Sequence, residues 1–374
     1  MNRSFRNRAV LVVALFAGSV TTAFGQVGGA GVVFLKIEPD SRSAGMGNAG
    51  VALADNASAN FWNPAGLGFQ TGTEAGITHS NWLPEFASDL FYEYLVAKHH
   101  IPGVGTLGAH VTYLNLGTHE GRDEQNIPTG TFKSYDLAIG ASYGFKVSPN
   151  FALGTSLRLI YSNLAPGQTI GNTTTKAGVS TAVDLAGLYR TNQFGLGGVP
   201  TTFSAGFNLA NMGPKIKYSD SDQADPIPTN MRFGMALGFD FDEYNALNLV
   251  VDFNKDLIDV DSTGAKPFYQ AIFSSWSPIT VNLNTSDPTD LEQVGVLRQI
   301  TVGGGLEYWY DRLLALRGGF FYEDPYNGNR KFVTLGAGIR YNIIGVDFSY
   351  ILALEENSPL DNTLRFSLLL NFVG

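Results

Sequence analysis

Residues Arg42 to Gly68 read RSAGMGNAGVALADNASANFWNPAGLG. This stretch is rich in Gly, Ala and Asn, and it has too few large apolar side chains to form a core of its own. Small side chains let one backbone pass close to another surface, and glycine adopts backbone conformations that other residues avoid. We therefore expect the stretch to fold inside the structure that the rest of the chain makes, as a plug in its lumen.

The residues before this stretch predict export. Residues 1–25 have the pattern of a signal peptide: a basic start, an apolar run from Ala9 to Val20, and the small-x-small sequence Ala23-Phe24-Gly25. No later stretch has the unbroken apolar run of about 18 residues that a membrane helix needs. If the exported chain crosses a membrane, only a closed barrel can satisfy its backbone hydrogen bonds.

Composition agrees with a membrane barrel. The 374 residues include 44 Gly, aromatic residues make up 12%, and charged residues make up only 15%, against about 25% in typical soluble domains. The formal net charge of −9 argues against nucleic acid as a partner, since phosphates require basic patches. The chain has no cysteine, which excludes disulfides and thiolate chemistry.

Downstream of residue 73 the dominant signal is an alternation with a period of two, which predicts strands. Residues 135–146 (YDLAIGASYGFK) place aromatic and aliphatic side chains at odd positions and small or charged ones at even positions. About fourteen segments share this pattern, each near the length of about 9–11 residues that a tilted membrane strand needs. They cover residues 74–82, 90–101, 105–116, 133–147, 151–162, 179–190, 202–212, 229–241, 246–257, 299–310, 313–323, 331–341, 346–354 and 363–373.

The spacing of these segments predicts their orientation. Tight connections alternate with longer ones, such as residues 117–132 and 258–298, except that residues 191–201 are longer than a tight turn. Bacterial outer-membrane barrels have an even number of strands, short periplasmic turns and long outer loops. We therefore predict an all-β fold: a transmembrane antiparallel β-barrel of residues 73–374 in the outer membrane, with residues 26–72 as its N-terminal lumenal plug.

Motifs that suggest chemistry have structural explanations here. Residues 103–108 match the G-x-G-x-x-G fingerprint, but that fingerprint needs a following helix, and here it lies in a predicted hairpin. His99 and His100 are neighbours in a strand and point to opposite faces. The acidic residues at 220–225 and 256–261 do not have the spacing of a calcium-binding loop. We expect no catalytic residues, no metal and no cofactor.

Charged residues on the predicted inward faces could suggest an ion path or a catalytic carboxylate pair. We favour a mixed-sign lumen whose charges pair with one another and with plug residues such as Arg42 and Asp55. The predicted inward-facing charged residues are Asp136, Arg158, Asp184, Arg232, Asp252, Glu307, Arg317, Arg340, Asp347 and Arg365.

The longest predicted loop carries an aromatic patch of Phe268, Tyr269, Phe273 and Trp276. Exposed aromatic residues are frequent anchors at protein interfaces, so this patch is a candidate partner-binding loop. The alternative is that the loop folds back on the rim of its own barrel.

Two sets of motifs resemble a known family. The plug stretch resembles the N-terminal hatch of FadL-like outer-membrane proteins, most closely the PorV/PorQ branch associated with the type IX secretion system. The C-terminal half contains further sequences that are similar to PorV-like chains. The plug motif comprises Arg42, Ala44, Gly45, Met46, Gly47, Ala49, Asn63, Pro64, Ala65 and Gly66, and the C-terminal motifs include Asp252-Phe253-Asn254-Lys255, Glu307-Tyr308-Trp309-Tyr310 and Asn357-Ser358-Pro359-Leu360-Asp361.

The resemblance implies a fourteen-stranded, FadL-like barrel with a hatch and a non-enzymatic role in the outer membrane. It implies that the protein takes cargo with a type IX C-terminal signal domain from a SprA-type translocon and delivers it to a PorU-type sortase complex. Two alternatives stay open. One is a FadL-like channel for hydrophobic small molecules, and the other is a PorQ-like subunit of the attachment complex.

Overall fold

The computed structural model describes residues 29–122, 126–170, 173–220, 223–261, 264–282 and 291–372. The predicted signal peptide (1–25) and residues 26–28 of the predicted plug lie outside these ranges. No helix within them is both long and apolar enough to cross a membrane.

Fourteen antiparallel strands form a closed barrel. Each strand pairs with the next along the chain, and the last pairs with the first over residues Thr73–Ser80 and Arg365–Phe372. This confirms the predicted fold class. The strands are β1 Thr73–Asn81, β2 Phe91–Ile101, β3 Gly105–Arg122, β4 Pro128–Ser148, β5 Phe151–Asn163, β6 Gly178–Arg190, β7 Val199–Met212, β8 Asn230–Asp240, β9 Asn245–Asp256, β10 Ile300–Tyr310, β11 Leu314–Tyr322, β12 Lys331–Tyr341, β13 Ile344–Ala353 and β14 Leu364–Phe372.

Side chains alternate between two faces of the barrel wall as predicted. On β5, Leu157 is 61% exposed on the outer surface, whereas its neighbours Ser156 and Arg158 are buried in the lumen. The same alternation runs around the barrel and produces an apolar outer surface. This surface fits hydrocarbon, and the inward face is left to small and charged residues.

The connections differ at the two ends of the barrel. Turns such as residues 149–150 and 342–343 are short, and β1 begins and β14 ends on that same side. The opposite end carries the long loops, including residues 213–229 and 257–299. Since outer-membrane barrels place short turns in the periplasm, we call the long-loop side the outer end and the other side the inner end.

Two predicted loops contain more strand than the sequence pattern indicated. Strands β3 and β4 stay paired beyond the predicted boundaries, out to Arg122 and Pro128. At the inner end, Phe194–Leu196 pairs with the first residues of β7, so the long connection at 191–201 is largely a hairpin. Its turn is Gly197-Gly198, with φ values of 59° and 86° that glycine adopts readily.

The N-terminal segment (residues 29–72) runs inside the barrel from the outer end to the inner end. Gly31 N donates to Pro226 O in an outer loop at 2.9 Å. Near the other end of the segment, Gln70 O accepts from the Thr106 hydroxyl at 3.2 Å, beside an inner turn. The segment contains the short helices Val33–Lys36, Ser41–Ala44, Ala59–Trp62 and Pro64–Phe69. We call residues 29–38 its outer part and residues 39–72 its inner part.

Glycines in the barrel wall make room for the inner part. A Cβ added to Gly319 on β11 would overlap the backbone nitrogen of Gly47, and one added to Gly144 on β4 would lie 2.5 Å from Pro64 O. Gly47 itself has φ 68°. The wall therefore lacks side chains where the backbone of the inner part passes closest to it.

An apolar cluster fills the outer half of the lumen. The sequence pattern predicted a charged, glycine-rich lumen throughout, so this cluster is a departure. Part of the signal is on β2, where the inward Tyr92, Tyr94 and Val96 are apolar or aromatic. The cluster brings wall residues together with the N-terminal segment and includes Phe34, Leu35, Ile37, Val51, Phe61, Trp62, Tyr92, Tyr94, Val96, Leu114 and Ile160.

Candidate functional site

An ion-pair network joins the inner part of the N-terminal segment to the wall. The Arg42 guanidinium donates twice to Glu307 on β10, with both N–O distances at 2.7 Å, and it also pairs with Asp55. Glu307 accepts a further hydrogen bond from Arg317 on β11 at 2.8 Å. The Arg42 and Arg317 side chains are 11% and 0% exposed, so the centre of the network is shielded from solvent, whereas Asp55 at its end is 40% exposed.

The network continues along the wall. Arg317 donates to Asp347 on β13 at 2.8 Å, and Arg340 on β12 donates to the same carboxylate at 2.6 Å. Positive and negative groups thus alternate from Asp55 to Arg340. Each buried charge has an opposite charge beside it, which is what makes burial of ionised groups tolerable.

Other wall carboxylates and amides satisfy the backbone of the inner part. Asp252 Oδ2 accepts from Gly50 N at 2.7 Å and from Val51 N at 2.9 Å. Asn208 Nδ2 donates to Trp62 O at 3.1 Å. A segment with little secondary structure has many unpaired backbone groups, and these contacts supply partners for them in a buried setting.

The predicted pairing of the lumenal charges holds for part of the set, but four residues differ. Asp136 accepts from the Ser162 hydroxyl and Asp252 accepts from backbone N–H groups, while Arg232 and Arg365 have other surroundings. Arg158 pairs with Asp184 at 2.9 Å, as expected. The Arg232 guanidinium instead lies over the Phe61 ring, 4.5 Å from its centroid. Arg365 is 4.0 Å from its nearest carboxylate, Glu38.

The predicted plug-motif residues lie in the inner part, and all ten are buried. Asp40 caps the helix that contains Arg42 and Ala44 by accepting from Ser43 N at 2.9 Å. Gly47 N donates to Thr334 Oγ1 of β12 at 2.9 Å. Gly45, Met46 and Ala49 are buried in the same stretch of the inner part.

Asn63 shapes the second half of the motif. Its side-chain oxygen accepts from Ala65 N at 3.1 Å, and its Nδ2 donates to Val51 O at 3.0 Å and to Gly187 O at 3.2 Å. Pro64 then begins the helix Pro64–Phe69, a position where its missing N–H costs nothing. Among the wall partners of the motif, Asp252 was predicted to face inward, whereas Thr334 was not singled out. The inward register of its strand is the signal that could have found Thr334.

The predicted aromatic patch lies on a short helix, Phe268–Ser274, in the outer loop between β9 and β10. Tyr269 is 58% exposed and Phe273 80%, while Phe268 is half-buried. Trp276, just beyond the helix, is 42% exposed. The helix thus contacts the rim through one side and presents aromatic rings to the outside through the other.

Beneath this helix the rim is closely packed. Ile227, Leu257, Phe268 and Ala271 line a cavity of about 10 Å³, at the lower limit of the roughly 10–15 Å³ that one ordered water needs.

The histidines and acidic residues of the remaining sequence motifs contact single polar partners. His99 contacts Thr73, and His100 contacts Thr106. Asp256 and Asp259 face Lys36 and Lys266, respectively. In the part of the chain that the structure describes, no group of three or more His, Asp or Glu residues is arranged to hold a metal ion.

Residues 22–263 match the family model described as type IX secretion system protein PorV. The chain belongs to the PorV family. This match covers the N-terminal segment and the strands up to β9, and it identifies the protein as an outer-membrane component of the type IX secretion system. No curated protein sequence matches the chain.

Solved barrels share the fold of this PorV-family chain. The toluene transporter TodX of Pseudomonas putida is 13% identical, with a TM-score of 0.53, and the match covers 90% of this chain and 100% of that one. A TodX deltaS2S3 mutant gives 13% identity over the same shares, with a TM-score of 0.50. TbuX of Ralstonia pickettii is 14% identical over 90% of this chain and 99% of that one, with a TM-score of 0.49. The protein is a FadL-like outer-membrane β-barrel.

Proposed function

We propose that this protein is a non-enzymatic shuttle of the type IX secretion system. It binds the C-terminal signal domain of cargo that leaves a SprA-type translocon, and it delivers the cargo to a PorU-type sortase complex at the cell surface. Its membership in the PorV family supports the assignment to this system. The shuttle mechanism is the function that best fits a barrel with a filled lumen and an exposed aromatic loop.

One observation carries this proposal. The N-terminal segment contacts the inward face of the wall from the Glu307 network on one side to Gly144 and Asn208 on the other. A barrel filled in this way offers folded cargo no route through its lumen. Recognition then falls to the outer loops, where Tyr269, Phe273 and Trp276 are exposed.

We also propose that residues 26–72 act as a plug. A barrel of fourteen strands encloses more space than its wall side chains fill. The ion pairs and backbone hydrogen bonds of the inner part support a segment that stays in place and keeps the outer membrane from leaking.

Co-purification tests the shuttle. The protein is isolated from the outer membrane of its own cells, and its partners are identified by mass spectrometry. We expect a SprA-type translocon and cargo with C-terminal signal domains. Recovery with neither would overturn the proposal, and recovery with a PorU-type complex alone would favour the PorQ-like role.

A pair of variants tests the aromatic patch. Phe273→Ser should reduce cargo recovery severalfold, because it removes a ring that is 80% exposed and therefore contributes little to the fold. Phe86→Ser, which changes a ring 56% exposed in the loop between β1 and β2, is the matched control. Equal recovery with both variants would place the binding surface elsewhere.

The second candidate function is a channel for hydrophobic small molecules. The apolar cluster in the outer half of the lumen favours it, as does the fold shared with TodX, a toluene transporter. It requires the N-terminal segment to move, since that segment fills the cluster. Uptake of radiolabelled toluene that depends on the protein would support this role, and uptake equal to that of a deletion strain would exclude it.

A further inference from the structure

The first described residues lie among the outer loops. Gly31 donates to Pro226 O at 2.9 Å, and a Cβ at Gly31 would lie 3.0 Å from the Ile216 side chain. Both partners belong to the loop between β7 and β8 at the outer end. Gly29 and Val33 are exposed, Val33 by 59%.

The chain then descends into the barrel step by step. Lys36 pairs at 2.5 Å with Asp256, the last residue of β9 at the outer rim. Ile37 O accepts from the Tyr92 hydroxyl at 3.4 Å, one residue below the outer end of β2. Arg42 reaches Glu307, three residues from the inner end of β10. The direction from residue 31 to residue 42 is therefore from outside to inside.

The other end of the segment is fixed at the opposite side. The Phe69 ring lies 5.2 Å from the guanidinium of Arg190, the last residue of β6 at the inner end. Residue 73 then begins β1 at that same end. The segment thus spans the height of the barrel, with its two ends on opposite sides of the membrane.

We propose that the N-terminal segment enters the barrel from the cell surface, so that residues 29–33 are displayed outside the cell among the outer loops. A protein outside the cell can reach the exposed residues of this stretch, Gly29 and Val33, without crossing the membrane. The stretch leads directly to the ion pairs of the inner part. This placement follows from the orientation of the barrel, and it holds whether or not the protein carries cargo.

Because the chain has no cysteine, single cysteines test this placement without background. Val33→Cys is exposed to a membrane-impermeant maleimide reagent on intact cells, and its labelling is followed by a shift in gel mobility. Thr173→Cys, at an exposed residue of an outer loop, is the positive control. Glu243→Cys, at an exposed residue of an inner turn, is the control for the periplasmic side.

We expect Val33→Cys and Thr173→Cys to be labelled on intact cells at comparable rates. Glu243→Cys should be labelled only after the outer membrane is permeabilised. Labelling of Val33→Cys only after permeabilisation, or only after unfolding, would overturn the proposal. Gel mobility without boiling confirms that each variant is folded, and Ala30→Cys repeats the test three residues earlier. A failure of the shuttle function would appear in cargo recovery and would leave these labelling patterns unchanged.

Discussion

The outer part of the N-terminal segment (29–38) and the inner part (39–72) are held in the barrel by different forces. The outer part is held by apolar contacts of Phe34, Leu35 and Ile37 and by an ion pair between Lys36 and Asp256, whose side chains are 24% and 38% exposed. The inner part shares the apolar cluster through Val51, Phe61 and Trp62. In addition, it is held by buried alternating charges, by hydrogen bonds to its backbone and by glycines in the wall where its backbone passes closest.

This difference predicts which part of the segment can shift and which part is held fixed. Apolar contacts have little directionality, so the outer part can shift and repack. Buried ion pairs and close backbone contacts depend on exact geometry. We therefore expect the inner part to fix the segment in the barrel, while the outer part moves first when the segment is disturbed.

The largest expected effect is that of Arg42→Ala. It removes the cation that joins Asp55 to Glu307 and leaves the buried network with an excess negative charge. Breaking a buried pair costs about 3–5 kcal/mol. We expect the free energy of unfolding to fall by about 3 kcal/mol, at the lower end of that range, because Arg317 still faces Glu307. Urea unfolding in lipid vesicles measures the loss.

Arg122→Ala is the control for Arg42→Ala. Its ion pair with Glu120 is about half exposed on both sides, and such pairs are worth about 0–1 kcal/mol. Equal losses for the two variants would remove the distinction between the buried network and a surface pair.

Gly319→Ala tests the fit between wall and segment. The new Cβ would overlap the Gly47 backbone, which cannot turn away as a side chain can. We expect a loss of about 2 kcal/mol and an increased uptake of large antibiotics. Gly318→Ala is the matched control, since a Cβ at Gly318 meets nothing within 4 Å. A neutral Gly319→Ala would mean that the segment is not packed against β11.

Trp62→Phe removes one hydrogen bond of the inner part. The Trp62 indole N–H donates to Asp40 Oδ2 at 2.6 Å, and Asp40 is only 4% exposed. Hydrogen bonds to charged groups are worth about 1.5–3 kcal/mol, and we expect about 1.5 kcal/mol because Asp40 keeps its bond from Ser43 N. Circular dichroism during unfolding measures the change, and Asp40→Asn should reduce the effect of the Trp62 change.

Lys36→Ala should have the smallest effect. Its ion pair with Asp256 is partly exposed, so its loss should cost less than about 1 kcal/mol. The cost should also fall as salt is added, because exposed pairs are screened. Unfolding at low and high ionic strength measures both. A loss as large as that of Arg42→Ala would contradict the contrast between the two parts.

Much of the barrel could be predicted from the sequence because each strand sees lipid on one side. Lipid exposure forces apolar residues onto every second position, as at Leu157, and the pattern is strong enough to locate all fourteen strands. The sequence also predicted that Arg42 would pair with charges of the lumen, because buried charges need partners. Exact partners, such as Glu307 for Arg42, depend on the barrel register and are not visible in the local pattern.

The apolar cluster could not be foreseen in the same way. Where both faces of a strand carry large apolar residues, as at Tyr94, Leu95 and Val96, periodicity does not tell the lipid-facing side from the packed lumenal side. The path of residues 29–38 could not be predicted from the sequence either, because these residues contact loops that are distant along the chain.

The position of the N-terminal segment also constrains the order of assembly. Strand β1 starts where this segment ends and closes the barrel by pairing with β14, which is the strand of the barrel that is synthesised last. If the barrel closed first, residues 29–72 would have to pass through its lumen from the periplasm towards the exterior. Closing the β1–β14 seam around the N-terminal segment avoids that step, so we expect barrel closure and filling of the lumen to occur together during biogenesis.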